Sequence, residues 1–345
     1  MPVPTLHQTD LFRPHIDPDD HWDLACVYAL AAQGHIDLRG VLLDFPPSPQ
    51  PESRAPDVEA IAQLNTLTGL AAPFRVGSSI PVQSRTDHQQ DAPVQDRGGV
   101  SFVLRSLREA GSPVVIHIVG SCRDVALAAN TDPALFTQKC AGIYLNAGTG
   151  NPDPHAVPER EYNVLLNPSA YGAIFAIDCP IYWMPCYETF TGETVVRQDA
   201  TWYDFRQDDI LPHLAPAVQR YFAYMLSRSR DTDWLGYLTD ADTRDVFAER
   251  GPERRNMWCT GGFFHSAGLS VTREGKIVSQ AEAGGAAVFG FEPVDVACDE
   301  AGMTTWHGDQ QATKRFIFRV RDTAAYSRAM TTAMKTLLTT LPDGA

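Results

Sequence analysis

The feature that most narrows the fold is the alternation of two hydrophobic periods along a single chain. Short runs dominated by apolar residues, IDLRGVLLD (36–44), PVVIHIVG (113–120), AGIYLNAG (141–148) and CPIYWMP (179–185), each end on an acid, glycine or proline. Runs of this kind suit strands buried on both faces. Between them stand stretches whose apolar residues recur at three- and four-residue steps, among them LACVYALAA (24–32), SFVLRSLREAG (101–111) and PSAYGAIFAID (168–178). One helix after each strand implies crossover connections. The expected architecture is therefore α/β, an open, mostly parallel sheet with helices on both faces.

At 345 residues the chain can bury a large core, and we read it as one domain over 1–345. From Glu188 to Trp258 the pattern turns helical and rich in aromatics, including Trp202, Tyr203, Phe205, Tyr221, Phe222 and Tyr224. We read 188–258 as a helical insertion or cap. The 28 basic against 42 acidic residues give −14, which disfavours nucleic acid and anionic membrane as partners. No apolar run approaches the roughly 20 residues a membrane helix needs, and no leader pattern opens the chain. The expected location is cytoplasmic. Seven scattered cysteines without CxxC spacing point to buried thiols rather than disulfides or zinc.

The chemistry concentrates in TDLFRPHIDPDDHWD (9–23), where Asp10, Asp17, Asp19, Asp20 and Asp23 crowd together ahead of a helical pattern. Such acids repel unless neutralised, and hard oxygen ligands suit Ca²⁺ or Mg²⁺. The same residues also build ordinary turns and helix N-caps. Both readings stand on residue type alone. In an open α/β sheet, ligands are expected at the carboxyl ends of the strands, where this stretch falls.

Several segments in order resemble the inosine-uridine type nucleoside hydrolases. The acidic loop TD…DPDD is similar to that family's N-terminal metal motif, with a longer spacer. VVIHIVGSCRDVALAANTDPALF, GIYLNAG, EYNVLLNPSAYGAIF, GFFHSAGLSV and the late FEPVDVACDEAGMTTWHGD resemble successive family segments. The likeness spans roughly 9–187 and 259–340 and implies a divergent member, a hydrolase that cleaves the N-glycosidic bond of a ribonucleoside or related ribosyl compound with a water on Ca²⁺ rather than Mg²⁺. The resemblance makes Asp10 a metal ligand and the base for that water. It makes Asp20 a metal ligand and Asp19 a ribose contact. The backbone carbonyl near Leu145 becomes a neutral metal ligand, Glu161 and Asn163 ribose contacts, and His265 a catalytic group near the leaving base. Family members commonly form dimers or tetramers, so a homo-oligomer is expected.

The departures from the family pattern also bear on function. Ser266 stands where the family has an aspartate ligand, and Asp17 in the lengthened loop is the natural replacement. Asp44 takes the place of an asparagine that touches ribose, and Asp124 falls in the asparagine position of GPLTN. Trp202, Tyr221 and Trp258 are candidates to stack on a base. The alternative to an enzyme is a non-catalytic descendant that binds a ribosyl ligand or a metal without turnover.

Overall fold

The structure, a computed structural model, describes residues 1–46, 55–89, 91–157, 159–189 and 195–343. Its first half follows the predicted alternation. Strands β1 (Val3–Thr9), β2 (Ile36–Leu43), β3 (Phe74–Val76), β4 (Val114–Ile118), β5 (Cys140–Asn146) and β6 (Ile181–Met184) are separated by helices. These are α1 (Pro18–Ala32), α2 (Val58–Thr68), α3 (Gly98–Glu109), α4 (Arg123–Thr131), α5 (Pro133–Lys139), α6 (Tyr162–Leu166) and α7 (Pro168–Ile174).

The span 188–258 carries α8 (Pro216–Leu226), α9 (Tyr237–Asp240) and α10 (Arg244–Arg250). It also carries an antiparallel ribbon of β7 (Tyr203–Arg206) and β8 (Arg254–Met257), which the aromatic-rich pattern does not reveal. Its Phe222 stacks on Trp22 of α1 with ring centroids 4.0 Å apart. The remainder comprises α11 (Thr260–Ser266), the hairpin of β9 (Leu269–Val271) and β10 (Ile277–Ser279), α12 (Gln280–Ala283), β11 (Phe289–Cys298), β12 (Thr304–Gly308), β13 (Arg315–Val320) and α13 (Tyr326–Leu338).

Among the described residues the sheet has nine strands in the order β12-β11-β13-β6-β5-β4-β1-β2-β3. Seven are parallel, and only β11 and β12 run against their neighbours at one edge. Successive residues of the central strands feed opposite cores. Val115, Tyr144 and Met184 join the apolar layer formed with α1, α8, α11 and α13, whereas Ile116, Leu145 and Trp183 join the layer formed with α3, α4 and α7. This double burial explains why these strands read as near-continuous apolar runs.

Two features set the position of the site. After β1 the chain winds outward through β2 and β3, then returns to lay β4 on the other side of β1. The carboxyl ends of β1 and β4 therefore flank the crevice at a topological switch point. In addition, α1 begins well before its apolar periodicity does, with Asp17 at the N-cap, Pro18 in the first turn, and Asp19 and Asp20 beside it. Proline at a helix start loses no needed N–H, and the dipole favours acids there. Asp19, Asp20 and Asp23 thus ride on a helix rather than on the loop the sequence suggests. No helix among the described residues is long and apolar enough to cross a membrane.

Candidate active site

Asp10 leaves the end of β1 and Asp17, Asp19 and Asp20 open α1, so all four acids reach one cavity of about 250 Å³. Val119 and Asn146, at the ends of β4 and β5, line it together with Cys186. Glu161, Tyr162 and Asn163, and Tyr187, Trp258 and Cys259, complete the lining. Carboxylate oxygens of Asp10, Asp17 and Asp20 lie within 4.8 Å of one another. Asp10 Oδ2 is buried without a hydrogen-bond partner. Burial first, and then the neighbouring acids, push the carboxyls of Asp10 and Asp17 well above the usual range, and burial pushes Asp20 up to about 7. Three converging acids, Asp10 and Asp20 buried and Asp17 half-buried, resist ionisation and lack only positive charge. The donor set suits a hard divalent cation.

Around this cluster the side chains divide by what they leave free. Glu161 lines the cavity, yet its oxygens accept the N–H groups of Gly148, Asn163 and Val164. It therefore caps α6 and sets the position of Asn163. Asn163 spends both amide protons on the carbonyls of Val119 and Asn146, each at 3.0 Å, which leaves Oδ1 as its group for a ligand. Asn146 is pinned in turn, donating to Met184 and Thr201 while its Oδ1 accepts the thiols of Cys186 and Cys259.

Asp44 does not line the cavity but stands directly behind it. Its carboxylate accepts from the Gln8 amide and from the backbone of Ser121, and burial pushes it up to about 8. Gln8 also accepts from the N–H groups of Val119 and Gly120, so the β1 and β4 ends are tied together. A Cβ on Gly120 would meet Asp10 Oδ1 at 2.7 Å and Asp44 Oδ2 at 2.8 Å. Only glycine lets both carboxylates approach that turn.

The structure separates other expected site residues from the cavity. His265 lies in the last turn of α11, where Nδ1 meets the Tyr144 hydroxyl at 2.7 Å and its ring packs on Phe291. Ser266 pairs with His117 at 2.8 Å and donates to the Phe263 carbonyl. The helix end that faces the cavity is the other one, carrying Trp258 and Cys259, and six residues of helix span roughly 9 Å. The HSAG segment is thus not the one that meets the acids. Leu145 is fully buried within β5, and the cavity residue of that strand is the next, Asn146. Asp124 accepts from Ser78 N–H, remote from the cavity lining.

Of the three candidate stacking aromatics only Trp258 lines the cavity. Trp202 is buried elsewhere, and Tyr221 is buried with its hydroxyl on the carbonyl of His21. Tyr162 and Tyr187 supply the other aromatic walls, and Tyr187 meets Trp258 edge to face at 5.8 Å. The strand-end rule could have found Tyr187 and Cys186, which follow β6 directly; nothing local marks Tyr162.

No family model and no curated protein matches the sequence. Solved structures do match over nearly the whole chain. A plant nucleoside hydrolase superposes with TM-score 0.57 at 14% identity, covering 98% of this chain and 99% of its own. A purine-preferring ribonucleoside hydrolase from Gardnerella vaginalis gives 0.57 at 11%, covering 97% and 99%. The type III effector XopQ, complexed with adenosine diphosphate ribose, gives 0.54 at 14%, covering 98% and 95%. The order of its strands, the open parallel sheet and these superpositions together make the fold of this chain that of the nucleoside hydrolases.

Proposed function

We propose that this protein hydrolyses the N-glycosidic bond of a ribonucleoside or related ribosyl compound, with calcium held by Asp10, Asp17 and Asp20. The observation that carries this reading is the convergence of Asp10, Asp17 and Asp20 with Asn163 Oδ1 and an aromatic wall in one cavity of about 250 Å³ at the switch point. Calcium, when bound there, supplies the charge that orients a water and vicinal sugar hydroxyls. Asp10, which lines the cavity and has an unpartnered oxygen, takes the proton of the attacking water. Asp19 and Asn163 hold ribose hydroxyls. Glu161 acts through Asn163, because its own oxygens are taken by backbone donors. Asp44 acts from behind through the Gly120 turn. Tyr162, Tyr187 and Trp258 enclose the base and exclude water.

His265 has no place in this scheme, and none of the described residues that line the cavity is a histidine. That gap supports a second reading, a binding protein that retains a ribosyl ligand without turnover. The effector structure complexed with adenosine diphosphate ribose keeps larger ribosyl compounds within the candidate class.

A panel of nucleosides and ribosyl nucleotides, assayed for reducing sugar with and without a chelator, separates the two. Ribose release abolished by chelation and restored by calcium supports the hydrolase. Ligand binding by calorimetry without release supports the binder, and neither release nor binding defeats both. Gel filtration tests the expected homo-oligomer, and fractionation the expected cytoplasmic location.

A further inference from the structure

A second group of metal-binding side chains lies behind the acidic loop and has no part in the cavity. His15, His21 and Asp57 each place one donor atom within 4.8 Å of the others, and all three side chains are no more than 1% exposed. Its donors are two imidazoles and one carboxylate, a softer set than the carboxylates around the cavity.

The hydrogen bonds define which atoms point inward. His15 Nε2 meets the Ser229 carbonyl at 3.1 Å, and His21 Nδ1 meets the Asp17 carbonyl at 3.0 Å. A carbonyl only accepts, so these outer nitrogens carry the protons, and a neutral ring then presents a lone pair on its inner nitrogen. Both inner nitrogens, His15 Nδ1 and His21 Nε2, face the same oxygen, Asp57 Oδ2. The other oxygen of Asp57 accepts the N–H groups of Glu59 and Ala60 at the start of α2, which aims the carboxylate. An ionised carboxylate also only accepts, so without an ion these inner contacts are N–H···O bonds to Asp57, and a metal would take the place of the inner protons; each imidazole is held from outside by a backbone carbonyl in the manner of metal-ligating histidines.

We propose that His15, His21 and Asp57 bind a borderline divalent transition metal of the zinc class in a structural role. Three protein donors leave one tetrahedral position for water. The ligands come from both sides of Asp17 and from α2, and the outer shell reaches the segment after α8. An ion here pins the loop that delivers Asp17 and Asp20 to the cavity. It also stabilises a loop conformation in which Phe12 and His15 both adopt positive φ.

The test is metal content in the untagged full-length protein, dialysed against zinc and calcium together and then against metal-free buffer. Mass spectrometry is expected to find one zinc per chain in the wild type and in Asp20→Asn, and none in a folded His21→Gln. Zinc that is absent from the folded wild type overturns the proposal. So does zinc that survives His21→Gln but disappears in Asp20→Asn, since that places it among the cavity acids. Should His21→Gln fail to fold, the cobalt-substituted wild type decides: visible ligand-field bands with imidazole-shifted histidine resonances support the site, and a spectrum lacking them refutes it.

Discussion

Replacing Asp20 by asparagine is expected to strengthen the cation-free protein while abolishing its response to calcium. The Asp20 side chain is buried and its carboxyl is pushed up to about 7 from an ordinary 3.8, first by burial. A tenfold change in proton affinity corresponds to about 1.4 kcal/mol, so keeping this acid ionised at pH 8 costs the fold up to roughly 4 kcal/mol. The sign follows from the direction of the shift. Because the folded carboxyl binds its proton more tightly than the unfolded one, the cost is absent at low pH and grows above the unfolded value. It is complete once pH exceeds about 7. Asparagine keeps the shape, removes the charge and relieves the repulsion on Asp10. For a chain of this length the gain corresponds to a rise in Tm of roughly 3–6 °C at pH 8 in chelator, and little change at acid pH. Calcium at a hundred times its Kd should stabilise the wild type by about 2.7 kcal/mol and leave the variant unmoved. Differential scanning calorimetry at two pH values, with and without calcium, measures all four quantities. A variant that melts below the wild type in chelator, or that still responds to calcium, refutes the reasoning.

Other consequences follow from the same geometry. Since Asp10, Asp17 and Asp20, all with raised carboxyls, must lose protons to hold a cation, apparent calcium affinity should rise with pH, Asp20 contributing its part through about pH 7; titration calorimetry across pH checks it, and a flat profile contradicts it. Gly120→Ala drives a methyl group into Asp10 and Asp44. Overpacking of this kind costs about 1–3 kcal/mol, and calorimetry should report calcium binding in the folded variant weakened by about tenfold or more, equivalent to about 1.4 kcal/mol. His265→Ala removes a bond to Tyr144 far from the cavity lining. It should lower stability by about 1 kcal/mol and leave kcat nearly unchanged, whereas a loss of roughly 100-fold, the smallest usual contribution of an acid or base, would return His265 to the mechanism.

The parallel sheet was legible in the chain because double burial forces continuous apolar runs, and helices of crossover length separate them. The acids at 10–20 were equally legible, since like charges at such density need a turn, a cap or a cation to explain them. Residue type could not choose among those explanations; that Asp10, just past β1, and Asp20, in the first turn of α1, bring their oxygens within 4.8 Å of one another is seen only in the folded chain. Sequence spacing could not reveal that Glu161 and Asp44 exhaust their oxygens on donors from Gly148 and Ser121, residues distant or close along the chain alike. Nor could it tell which end of α11 lies toward the cavity. Phe263 packs against His7 and His117, and that contact turns Trp258 and Cys259 to the cavity and His265 away from it. Local periodicity records how a helix or strand is buried. Which of its ends meets which neighbour is decided by packing between segments far apart in the chain, and a catalytic site is made of those meetings.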